Sequence, residues 1–299
     1  MSQHEQPGLT LPEATKVLLP GRGTTLVWDS GMVAGSTAPP LLLLHGWNID
    51  APANFGYGFH ALAAERRVVM YDHHGHGHGV RPSSRFTLED AATDALTILD
   101  SLGIEQAILV GYSMGGAIAQ LLSRSNPERV AGVVLMATTD RFSDTKADKR
   151  SFGALRIAAN LVDRLPEPVQ RVAFKQISTV ACLKYPKWIL EIVQRGEPVA
   201  LLDAGAALGT FDSSPWVGDL TAPVAYVYTA RDTVVAPASQ LRLAESAGSL
   251  LVHSVDAGHE LPILDDPRFS EAIQHAVTAV SAAADTTLGS LPNSAQSAN

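Results

Sequence analysis

Cysteine is nearly missing from this 299-residue chain: Cys182 stands alone, so no disulfide can form within one molecule. Burial and hydrogen bonding must hold the fold, and a cytoplasmic location is the expectation, since reducing compartments dispense with disulfides. Long apolar runs are missing as well. The longest purely aliphatic stretch, Leu41 to Leu44, falls far short of the roughly 20 residues that span a bilayer, so stable membrane insertion is not expected. The first twelve residues are polar and proline-marked rather than basic and then apolar, which argues against a secretory signal. Positive charge is scarce: 22 Lys and Arg face 30 Asp and Glu, a net of −8. With no nucleic-acid motif beside that acidity, DNA and RNA are poor partner candidates. No internal repeat is evident. The glycines from Gly75 onward resemble a dinucleotide loop but fail at Val80, so no coenzyme is expected.

What the chain does have is apolar substance, 46% of its residues, enough for one large core. Strands are predicted at about residues 23 to 29, 40 to 45, 66 to 71, 106 to 111, 130 to 137, 222 to 229 and 250 to 255. Several are apolar without alternation, as strands buried on both faces are. Helical segments lie between most of them, which predicts an α/β class with a mainly parallel twisted sheet and helices on both faces. One helix is especially legible. Thr87-Leu88-Glu89-Asp90 resembles a capping box, residues 91, 95, 98, 99 and 102 mark an apolar face, and Gly103 suits the position after the last turn.

Four loops at strand ends carry the chemistry. After the run Ala107 to Val110 comes Gly111-Tyr112-Ser113-Met114-Gly115, which reads as strand, sharp turn and helix with a serine at the turn. A serine hydroxyl is a weak nucleophile until a base takes its proton and N–H groups receive the oxyanion, and glycine on either side lets it stand clear of the sheet. The strand Leu41 to Leu44 ends in His45-Gly46-Trp47. Residues 222 to 229 are followed by Arg231-Asp232-Thr233, and residues 250 to 255 by Gly258-His259-Glu260.

These four loops, in this order, resemble the α/β-hydrolase superfamily, and the strand order extends the likeness over about residues 23 to 280. The resemblance implies a serine hydrolase with Ser113 as nucleophile, His259 as general base and Asp232 as the acid that orients it. It implies an oxyanion hole from the main-chain N–H groups of Trp47 and Met114. A second acid stays open: Asp140 follows the strand from Val130 to Ala137, a position some relatives use. His45 reads as a hydrogen-bonding residue behind the loop. Neither a cofactor nor a metal is implied, and the substrate would be a small-molecule ester, lipid-like ester or lactone. The elbow is also similar to cofactor-free haloperoxidase and perhydrolase relatives, carbon–carbon bond hydrolases share the triad, and some relatives are non-catalytic ligand receptors. Ser113 counts against the dehalogenases and epoxide hydrolases, which need an aspartate there.

The likeness also divides the chain: an N-terminal extension 1–22, a core of 23–140 and 211–280, a helical cap 141–210, and a flexible tail 281–299. Cap residues Phe152, Leu155, Ile157, Leu161, Val162, Phe174, Ile177, Trp188 and Ile189 are expected mostly to pack the cap onto the core. From 141 to 200 there are 11 Lys and Arg against 6 Asp and Glu, which reads as a solvated helical surface or an attraction for anionic substrate or lipid. One loop departs from the family. Relatives often carry Asp-x-Arg-Gly-x-Gly-x-Ser after the fourth strand, whereas here stands Asp72-His73-His74-Gly75-His76-Gly77-His78-Gly79. The glycines suggest a pliable turn beside the site. Zinc is the rival reading of its histidines, but no cysteine or paired acid is close in sequence.

Overall fold

The computed structural model describes the backbone of residues 8–289 and the side chains through residue 284. Its strands are β1 (Thr15–Leu19), β2 (Gly23–Asp29), β3 (Leu41–Leu44), β4 (Val68–Tyr71), β5 (Ala107–Tyr112), β6 (Val130–Met136), β7 (Val224–Thr229) and β8 (Leu251–Val255). They form one sheet in the order β1-β2-β4-β3-β5-β6-β7-β8. Pairing is antiparallel from β1 to β2 and from β2 to β4, and parallel from there to β8. The helices are α1 (Ala51–Ala63), α2 (Leu88–Ser101), α3 (Met114–Ser125), α4 (Lys146–Val162), α5 (Glu167–Ala181), α6 (Lys187–Arg195), α7 (Pro198–Thr210), α8 (Pro237–Ser246) and α9 (Pro267–Gly289).

The period of two in a strand explains why the central sequences carry no polar alternation. Leu42 and Leu44 of β3 join the core under α2 and α3, while Leu41 and Leu43 join the opposite core with α1 and α9. Each side of β3 therefore faces a helical layer. Helix α2 starts as expected: the Thr87 hydroxyl accepts the Asp90 N–H at 3.0 Å, and Gly103 adopts a φ of +63° beyond the last turn.

Two stretches outside the expected core belong to it. Segment 1–22 contributes β1, whose Leu19 is buried while Leu18 is exposed. Five residues at a sheet edge, with Thr15 and Lys16 facing water, leave too little apolar pattern to read as a strand. At the other end α9 runs on to Gly289, so the first part of the stretch 281–299 continues a helix. Its alanines favour that continuation. The rest of the stretch, residues 290–299, lies outside the described residues.

Helices α4 to α7 all fall within the stretch expected to form a cap. A Thr145–Asp148 capping box opens α4, and a single proline, Pro198, begins α7. A β-bridge between Arg141 and Asp212 and the Ser213 N–H bond to the Asp140 carbonyl (2.9 Å) close the neck. Ile189 is buried and Phe152 lies against the core, but Ile157, Leu161 and Ile177 are 63%, 58% and 67% exposed.

Candidate active site

Ser113 sits between β5 and α3 with φ +53° and ψ −116°, a conformation that non-glycine residues rarely adopt. Two hydrogen bonds hold it there: its N–H donates to the Met136 carbonyl, and its carbonyl accepts from the Gly116 N–H, both at 2.9 Å. The flanking glycines are steric necessities. A Cβ on Gly111 would stand 2.5 Å from the Gly115 carbonyl oxygen, and one on Gly115 would overlap the Leu44 carbonyl of β3.

The structure brings Ser113, His259 and Asp232 together from the ends of three strands. Ser113 Oγ lies 3.1 Å from His259 Nε2, and His259 Nδ1 lies 2.8 Å from Asp232 Oδ2. Asp232 Oδ1 accepts the N–H groups of Val234 and Val235, and Oδ2 also accepts the Thr229 hydroxyl. Burial alone would raise this carboxyl's pKa. The hydrogen bond and charge from His259, with those from Val235 and Thr229, outweigh burial and hold it below the ordinary carboxylate range. An ionised Asp232 accepts the Nδ1 proton and so leaves the Nε2 lone pair directed at the serine hydroxyl. That is the arrangement of a base poised to take the Ser113 proton. The Tyr112 hydroxyl, donating to the His259 carbonyl at 2.7 Å, fixes the histidine's backbone.

Asp140, the other acid considered, is engaged elsewhere. Arg242 grips it through Nη2 at 2.7 Å and Nε at 3.0 Å, and the same arginine reaches Asp144. It ties α8 to the neck of the α4–α7 segment.

The loop after β3 passes beside the serine: a Cβ on Gly46 would be 3.5 Å from Ser113 Cβ. Its frame is rigid. His45 Nε2 accepts the His73 N–H at 2.9 Å, so its proton resides on Nδ1 and is donated to the Gly46 carbonyl at 2.8 Å. Asn54 of α1 accepts the Gly46 N–H at 2.8 Å. Trp47, next in the chain, donates its indole N–H to the Leu201 carbonyl of α7 at 2.8 Å. Met114 opens α3, where the first N–H groups of a helix have no partner within it.

The histidine loop is packed rather than pliable. His73, His74 and His76 are buried, and the His45 and His73 rings lie tilted against each other with centroids 4.1 Å apart. Asp72 accepts the N–H groups of Ala51 and His78, and Arg81 donates to the carbonyls of Gly77 and Gly79. Glycine supplies the tight turns here, and these bonds then remove the freedom it brings. At His74, where relatives often carry arginine, a guanidinium is supplied by Arg22, which approaches the His74 Nδ1 and pairs with Asp94 at 2.6 Å. Burial, then neighbouring cationic groups, pushes His74 down to about 3; burial outweighs hydrogen bonding to lower His76 to about 4. Among the described residues, no three His, Cys, Asp or Glu side chains are grouped so as to hold a metal ion.

Sequence reasoning misses the contacts that attach α7 above the sheet. Arg85 and Arg156 converge on the buried Asp203, Arg85 Nη2 at 2.6 Å, and the Glu197 N–H bonds the Gly75 carbonyl at 2.7 Å. Each partner comes from a distant segment, and nothing in local spacing links them.

Comparison with known proteins bears on the fold. A family model described as the alpha/beta hydrolase fold matches residues 39–266. A 2-hydroxymuconate semialdehyde hydrolase from Pseudomonas sp. (strain CF600) is 39% identical over 130 residues, covering 42% of this chain and 44% of that protein. The chain spans less than half the length of the curated relatives it matches at 39% identity. A pimeloyl-[acyl-carrier protein] methyl ester esterase from Chromobacterium violaceum is 26% identical over 234 residues, 76% of this chain and 89% of that one. The solved structure of a thermophilic esterase from Thermogutta terrifontis superposes with a TM-score of 0.70 at 23% identity, covering 90% of this chain and 99% of the other. With the family model matching most of its length, the chain belongs to the alpha/beta hydrolase fold family.

Proposed function

We propose that the protein is a serine hydrolase that cleaves carboxylic esters, those with a small to medium acyl group or a lipid-like ester or lactone. The observation that carries the reading is the unbroken hydrogen-bonded relay from Ser113 Oγ through His259 to Asp232, at 3.1 and 2.8 Å. Ser113 Oγ attacks the ester carbonyl carbon as His259 Nε2 takes its proton, and the carbonyl oxygen becomes an oxyanion. The N–H groups of Trp47 and Met114 receive that charge. The tetrahedral intermediate collapses, the C–O bond to the alcohol breaks, and His259 returns its proton to the departing alkoxide. Water, deprotonated by His259, then attacks the acyl-enzyme and releases the acid, restoring the serine proton. Asp232 stays ionised throughout and steadies the imidazolium.

The test is hydrolysis of p-nitrophenyl esters from acetate to palmitate by the native protein and by Ser113→Ala. Turnover that peaks at one chain length and is lost in the variant, with an unchanged melting curve, is the expected result. Substantial turnover in a folded Ser113→Ala protein would overturn the assignment. A second reading, carbon–carbon bond hydrolysis, draws support from the 39% identity with 2-hydroxymuconate semialdehyde hydrolase. Cleavage of that semialdehyde with every ester left untouched would favour it.

A further inference from the structure

The outer face of α4 and α5 concentrates exposed apolar side chains as no other part of the described molecule does. Of the sixteen large hydrophobic residues exposed among the described residues, nine fall between Ile157 and Tyr185, so the exposure is concentrated in one segment of the chain. On α4, Ile157 and Leu161 share one face, and helical spacing puts Lys146 and Arg150 on that same face. On α5, Val169, Val172 and Val180 line up with Leu183, which is 77% exposed just beyond the helix. Residues 141 to 200 hold 11 Lys and Arg against 6 Asp and Glu, while the rest of the chain holds 11 against 24. On α4, exposed apolar and basic side chains thus share one helix face, within the one basic segment of an acidic chain.

We propose that this face docks on an anionic lipid surface. Valine and leucine side chains would enter the boundary between headgroups and acyl chains, and the basic residues around them would meet anionic headgroups. Repulsion of the acidic body orients the molecule with this face toward the lipid. Docking is peripheral, because no helix of the described residues is long and apolar enough to cross a membrane. A second copy fits less well. Face-to-face pairing would bring two positive surfaces together, and pairing with an acidic body would leave one apolar face uncovered in an open, non-closing contact. The inference concerns this surface alone and is independent of the reaction at Ser113.

Co-sedimentation of the full chain with phosphatidylcholine vesicles, with and without phosphatidylglycerol, tests it. Binding is expected only with phosphatidylglycerol and should weaken as salt is raised. A Lys146→Gln/Arg150→Gln variant should bind about thirtyfold more weakly, since each basic residue near an anionic surface contributes roughly 1 kcal/mol. Val172→Asp/Val180→Asp should bind more weakly still, and both should melt as the native protein does because the altered side chains are exposed. Equal binding to neutral and anionic vesicles, or no binding by the native protein, would overturn the proposal. So would a dimer in sedimentation velocity that Val172→Asp/Val180→Asp abolishes, which would assign the face to a second copy.

Discussion

Replacing His76 with asparagine should make the protein less sensitive to acid, by an amount the structure sets. His76 is buried, its Nδ1 lies 2.9 Å from the His74 carbonyl, and its Nε2 has no partner among the described residues. Burial holds its pKa down at about 4, against 6.5 for an ordinary histidine. The native state therefore keeps this ring neutral while the unfolded chain protonates it. The stability it preserves is intact above about pH 6.5, is lost as pH falls toward 4, and changes no further below that. At about 1.4 kcal/mol per pH unit, the loss by pH 5 is about 2 kcal/mol, a sizeable share of a typical 5–15 kcal/mol total. Asparagine retains an N–H for the His74 carbonyl and does not titrate. Asp50, pushed up to about 7 by burial and by Asp72, acts in the opposite direction as pH falls, so the native curve alone is not diagnostic. The difference between variant and native is. Urea unfolding at pH 7, 6 and 5 should show His76→Asn losing about 2 kcal/mol less than the native protein across that range. Parallel curves for the two proteins would refute the reasoning.

Three further outcomes follow from named contacts. Asp232→Asn keeps the shape of the relay but lets the imidazole adopt the wrong tautomer; kcat on a short ester should fall about 10⁴-fold, measured beside a melting curve that shows the variant folded. Gly115→Ala drives a methyl group into the Leu44 carbonyl, a backbone atom that cannot rotate away, so the denaturation midpoint should drop by the equivalent of roughly 3 kcal/mol or more. Trp47→Phe removes the indole N–H that holds the Leu201 carbonyl and should cost about 1 kcal/mol in urea unfolding. Its kcat should fall while KM for a short ester holds, because the loop that carries the Trp47 N–H loses its tie to α7.

Strands β3 to β7 were legible because sheet strands buried on both faces need unbroken apolar runs, and this chain supplies them: Leu41 to Leu44 and Ala107 to Val110 are examples. The elbow was legible for a related reason. Gly111 and Gly115 are demanded by contacts with the backbone itself, so the constraint is written into adjacent residues. Strand β1 was not, since an edge strand with one wet face carries little pattern, and the exposed row on α4 and α5 has the same periodicity as a buried one.

The sequence by itself determined the fold class and which serine, histidine and aspartates stood as candidates, because both depend on local pattern and on the order of loops at strand ends. Only the tertiary structure set Asp232 at 2.8 Å from His259 and gave Asp140 to Arg242. It alone stapled the glycine-spaced histidines into a packed loop and left apolar side chains of α4 and α5 in water. Partner choice and burial are set by distances between residues far apart in the chain, and a linear pattern carries no record of those distances.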